Sequence, residues 1–157
     1  MNKKLLLMAI VCGISIVAMI TSIIVVSHIE VSSSLPTFDL TAVDGTPDNP
    51  GESWSLIYRD GMEFSAHLCG EVILVDRKAD IYFTNDEGNT VWMKLRIYDQ
   101  AGNIIAETGL IKPGQYIKTI PFTDVPARGQ KISMKIMTYQ PDTYYSEGAV
   151  TITTTIG

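Results

Sequence analysis

From Ser53 to Gly157, apolar side chains return at every second position in short runs, and turn residues separate the runs. A period of two places successive side chains on opposite faces of an extended chain, so each run reads as a strand with one face in a core. Val91, Met93, Leu95 and Ile97 give the clearest case, alternating with Trp92, Lys94, Arg96 and Tyr98. Ile132, Met134 and Ile136 alternate with Ser133, Lys135 and Met137, and Val150, Ile152 and Ile156 mark the last run. Earlier strands are expected at 54–58, at 62–75 with a break near Gly70, and at 79–83. Asp99-Gln100-Ala101-Gly102-Asn103 reads as a hairpin turn, and Lys112-Pro113-Gly114-Gln115 as a type II turn, with Pro presetting φ and Gly accepting a positive one. No stretch here carries a helical period. The expected fold is an all-β, immunoglobulin-like sandwich of seven to eight strands over residues 54–157. Met93, Leu95, Ile97, Ile132, Met134, Ile136, Val150 and Ile152 are expected to point inward.

The N-terminal part follows different rules. Leu5 to Val26 is a run of 22 residues without a charge. As a helix rising ~1.5 Å per residue it covers the ~30 Å hydrocarbon core of a bilayer. It is too long for the ~7–15-residue apolar stretch of a cleaved signal, so residues 1–27 read as a transmembrane anchor, with a signal peptide cut near Ser27 or Ser34 as the alternative. Lys3 and Lys4 precede the run and place the N-terminus in the cytoplasm by the positive-inside bias, with the C-terminal domain outside the cell membrane. Residues 28–53, rich in Ser, Pro, Gly and Asp, read as a stalk. Asp39, Asp44, Asp48 and Glu52 within it lack the spacing of a calcium loop and read as solvated linker charges.

All 17 acidic residues follow the apolar run, together with ten of the 12 basic ones, so this part carries a net charge of −7. Such a field repels phosphate backbones, which argues against nucleic-acid binding. The cysteines are Cys12, inside the apolar run, and Cys69, in the domain. Separated by the membrane surface, they cannot pair within one chain, and no disulfide framework exists.

His67, Cys69 and Glu71 alternate, so a regular strand would project all three from one face. Cys and His could form a nucleophile pair, and all three are zinc ligands. Gly70 can break that register, however, and a tetrahedral site needs a fourth ligand. The favoured reading is a buried thiol beside an exposed His. The sequence has no H-E-x-x-H, no G-x-S-x-G and no Gly-rich phosphate loop. No catalytic, cofactor-binding or metal-ligating residue is nominated, and no enzyme is expected. The candidate binding residues are aromatic. Trp92 and Tyr98 lie on the strand face away from the core, and Tyr144 and Tyr145 share the loop before the last strand. Exposed aromatics supply rigid contact area to binding surfaces, although cross-strand aromatic pairs also stabilise sheets without any partner. Tyr144 and Tyr145 are the stronger pair, because one loop has no packing need for both.

Several segments carry a resemblance: Tyr82-Phe83-Thr84-Asn85, Asn89, Leu95-Arg96-Ile97-Tyr98-Asp99, Gly102-Asn103, Gly109-Leu110-Ile111-Lys112-Pro113-Gly114 and Glu147-Gly148-Ala149. On these the chain resembles small, uncharacterised membrane-anchored β-sandwich proteins of Gram-positive (Firmicutes) bacteria. The resemblance covers about half of the chain and implies an extracytoplasmic, anchored sandwich with no established activity. The expectation for function is a non-catalytic interaction module of the cell envelope that meets an envelope protein or a wall polymer. The alternative is a structural subunit of a secretion, conjugation or surface assembly.

Overall fold

The computed structural model describes residues 3, 35–57, 61 and 63–157. The expected anchor at Leu5 to Val26 and the first part of the expected stalk lie outside the described residues. Among the described residues no helix is long and apolar enough to cross a membrane.

The described residues of 35–157 form one unit, with nine strands among them. These are β1 (Val43–Asp44), β2 (Trp54–Ile57), β3 (Ala66–Cys69), β4 (Lys78–Asn85), β5 (Trp92–Tyr98), β6 (Ile104–Glu107), β7 (Gln115–Pro121), β8 (Lys131–Tyr139) and β9 (Ser146–Thr155). They make two antiparallel sheets, one in the order β1-β7-β4-β3-β2 and one in the order β6-β5-β8-β9. The architecture is an all-β sandwich. The period-two residues form its interior. Met93, Leu95, Met134 and Ile136 have no accessible surface, and Ile97, Ile132 and Val150 are buried with them. Ile152 is only half-buried, because β9 is the last strand of its sheet. Phe83, Ile81 and Leu68 meet them from the other sheet.

The turns form as their residues demand. Gly114 adopts φ +75 in the Lys112–Gln115 turn, closed by the Gln115 amide donating to the Lys112 carbonyl at 3.1 Å. Asp99 accepts from both the backbone and the side-chain amide of Asn103 at 2.8 and 2.9 Å. Asn85, fully buried, donates to the carbonyls of Val91 and Ile111 and accepts from Asn89. Asn89 in turn exchanges hydrogen bonds with the backbone of Ser65. Much of the shared motif therefore meets the need of buried backbone for partners.

One expectation is corrected. The stalk does not reach residue 53. The chain from Thr37 onward is a strap bound into the sandwich: Leu110 and Asp39 exchange backbone bonds with Thr37 and Leu110 at 2.8 and 2.9 Å, and β1 then pairs with β7 in the opposite sheet. Polar composition suggested a linker, but here Asp39 uses its carboxylate to hold Thr41 and the Gly109 amide. β1 is the strand beyond the expected eight. On the outward face of β5, Lys94 is covered as well: it is 9% exposed and its ammonium lies 2.9 Å from Glu107 on β6.

Candidate functional site

The outer face of β5 carries Trp92, Lys94, Arg96 and Tyr98, and its neighbour β8 sets Tyr139, Met137, Lys135 and Ser133 opposite them. At the Trp92 end three rings meet. Phe38 of the strap stands edge-on to Trp92 with centroids 4.7 Å apart, and Tyr144 stands edge-on to Trp92 from the other side at 5.1 Å. The Lys112 ammonium lies 4.9 Å from the centre of the Phe38 ring, a cation–π contact that holds the strap over the sheet. Tyr144 takes a positive φ of 60, the conformation by which the tight 140–145 turn swings its ring back onto Trp92. Tyr145 follows with 73% of its surface open.

The four aromatic candidates thus divide. Trp92 and Tyr144 are brought together in an edge-on contact. Tyr145 projects from the same loop into solvent. Tyr98 lies at the far end of β5, half-buried, paired with Ser133 and Ile104 rather than with the other three. Phe38 and Lys112 were missed in the sequence, because Phe38 belongs to a stretch that composition marks as linker.

Between the ring cluster and Tyr98 sits a charged patch. Glu107 accepts from Lys94 and Arg96, each at 2.9 Å. Burial raises the carboxyl's pKa, but the two cations outweigh it and hold Glu107 below the ordinary value. Asp39 behaves alike: burial pushes it up, and donors from Thr41 and Gly109 with the nearby Lys94 charge bring it below the usual range.

On the other sheet, His67, Cys69 and Glu71 do not assemble. His67 bonds Asp86 through Nδ1 at 2.8 Å and stacks on the Trp54 ring at 4.3 Å. The Trp54 indole donates to the carbonyl of Tyr82, which a β-bulge between Asp80 and Phe83 leaves off the ladder. With Asp44 and Glu87, the side chains of Trp54, His67 and Asp86 line an open cleft of ≈ 450 Å³. Cys69 is 3% exposed and lines a different cleft, with Pro50, Ser53 and Glu71. Burial pushes its thiol pKa up, which suppresses the thiolate that nucleophilic or metal chemistry requires. Among the described residues no group of three His, Cys, Asp or Glu side chains is placed to hold a metal ion.

No family model and no curated protein matches the chain. Among solved structures, it is similar to the crystal structure of CopC from Methylosinus trichosporium OB3b, at 15% identity and a TM-score of 0.36, over 66% of this chain and 92% of that one.

Proposed function

We propose that this protein is a non-catalytic interaction module of the bacterial cell envelope, an immunoglobulin-like sandwich held at the outer face of the cell membrane by an anchor at Leu5 to Val26. The observation that carries this reading is the aromatic cluster: Tyr145 stands 73% exposed beside Tyr144, Trp92 and Phe38, whose rings pack edge-on. A pre-ordered aromatic platform loses little conformational entropy on contact, so its ring area is available for binding an envelope protein or a wall polymer. The resemblance to anchored Gram-positive β proteins supports the same setting, and the buried, poorly ionised Cys69 supports a role without catalysis.

The test is crosslinking and capture from intact cells with the full chain and with Tyr145→Ala. One dominant envelope partner or wall fragment, lost in the variant while the fold persists by circular dichroism, supports the module. Equal capture by both chains refutes the assignment of the partner surface to Tyr145. Recovery within a large multi-protein complex would favour the structural-subunit alternative.

A further inference from the structure

The outer face of the β6-β5-β8-β9 sheet gathers cations on an otherwise acidic chain. Its outward positions include Lys94, Arg96 and Tyr98 on β5 and Lys131, Ser133 and Lys135 on β8, and β9 sets Thr155, Thr153 and Thr151 beside the three β8 residues. Lys94 is answered: Glu107 lies 2.9 Å away, and the strap's Asp39 carboxylate is close enough to feel its charge. Arg96 shares Glu107 through Nε and keeps a third of its side chain exposed. Among the described residues no carboxylate pairs with Lys131 or Lys135, so four cations meet two carboxylates on this face. The part of the chain beyond Val26 carries −7, which makes the face an island of the opposite sign.

The register makes one pair unfavourable. Lys135 stands directly opposite Arg96. Opposed residues have Cβ atoms ~5 Å apart, and like charges in that position destabilise a sheet. An oxyanion laid between them removes the repulsion and accepts a charge-assisted bond from each. The next outward row is uncharged and rich in hydroxyls: half-buried Tyr98 opposite Ser133, with exposed Thr153 beyond it. The row after that brings Lys131 beside Thr155. At ~3.4 Å per residue, Lys131 and Lys135 lie ~14 Å apart along β8. Cation pair, hydroxyl row and further cation succeed one another on a strip three strands, or ~10 Å, wide.

We propose that this strip binds a linear, hydroxyl-bearing polyanion of the cell wall, with one oxyanion between Arg96 and Lys135 and a later one at Lys131. The inference names the chemistry of the partner and rests on the envelope reading above for its setting. The charges select a narrow chain. At ~0.15 M salt a charge is screened over ~8 Å, so the strip's own cations govern a chain that touches nothing else. A bilayer surface or a nucleic-acid duplex is wider than the strip and sets its charges against the acids that give the chain its −7 as well. A small free anion fills the Arg96–Lys135 position and makes no use of Lys131. Continued along β8, an extended chain reaches Tyr139, which stands opposite Trp92, so the strip leads into the aromatic cluster.

The test uses the full chain in nanodiscs of zwitterionic lipid, with poly(glycerol phosphate) as the probe because it carries both oxyanions and hydroxyls. Binding is expected and should weaken as salt rises. Lys135→Glu should lower the affinity by about tenfold or more, the loss of at least one charge-assisted bond. The same change turns a like-charged cross-strand pair into an oppositely charged one, so thermal stability should hold or rise while binding falls. Damage to the fold does not produce that combination. Lys118→Glu, on β7 of the other sheet with its side chain 57% exposed, changes the net charge equally and should bind as wild type does. No binding by the wild type, or equal losses in the two variants, overturns the proposal. So does equal or tighter binding of anionic-lipid vesicles or of single-stranded DNA. Tyr145-dependent capture of an envelope partner without polymer binding strikes this inference alone, whereas polymer binding with equal capture by wild type and Tyr145→Ala strikes only the assignment of Tyr145.

Discussion

Replacing Gly109 by alanine tests the strap. A Cβ built at Gly109 would lie 2.5 Å from the Asp39 nitrogen, 2.7 Å from its Cα and 2.9 Å from the Phe38 carbonyl carbon. All three are backbone atoms, so no side-chain rotation relieves the overlap, and the strap must move away. What it would lose can be counted. The Gly109 amide donates to the Asp39 carboxylate at 2.7 Å, a charge-assisted bond of about 1.5–3 kcal/mol. Two backbone bonds between the strap and Leu110 contribute about 0.5–1.5 kcal/mol each. Phe38 would also leave Trp92 and Lys112. Against this, releasing residues 37–39 returns about 1–2 kcal/mol of conformational freedom per residue. The opposing contributions largely cancel, leaving a net destabilisation of about 1–3 kcal/mol.

The distinctive outcome is therefore a folded domain with a free strap. Gly109→Ala should lower the urea midpoint, and limited proteolysis should cut near Leu40 at low protease in the variant only. Gly88→Ala is the control, since its Cβ meets nothing within 4 Å and its φ is not positive, and it should change stability by less than about 0.5 kcal/mol. If Gly109→Ala matches wild type in both measurements, the strap is not seated on Gly109 and the reasoning fails.

Leu95→Ala should cost about 2–5 kcal/mol in urea unfolding, because Leu95 has no accessible surface. Lys94→Ala should cost about 1 kcal/mol rather than nothing, since it removes a charge pair whose acid partner is 45% exposed and partly screened. Cys69→Ser should stay within about 1–2 kcal/mol of wild type and bind any partner unchanged. The carboxyls of Asp39 and Glu107 are both held below their ordinary values of 3.8 and 4.5. Their contribution is complete above the unfolded-state values and is lost as pH falls through the folded ones, so hydrogen exchange in residues 37–41 should rise only in acid below that range.

The strands were legible because one face of each is buried, and a period of two then imposes itself on the residues. β5 and β8 show this at every inward position. The strap was not legible, because nothing periodic marks a segment that bonds two different sheets within a few residues. Phe38 and Asp39 are fixed by Leu110 and Gly109, some seventy positions away. The cover over Lys94 was not legible for a related reason. Alternation tells which face a residue occupies, not whether a neighbouring strand and a strap cover that face. The Cys69 and His67 cluster dissolved because residues two apart on a strand answer to different neighbours: Asp86 and Trp54 take His67, and Pro50 takes Cys69.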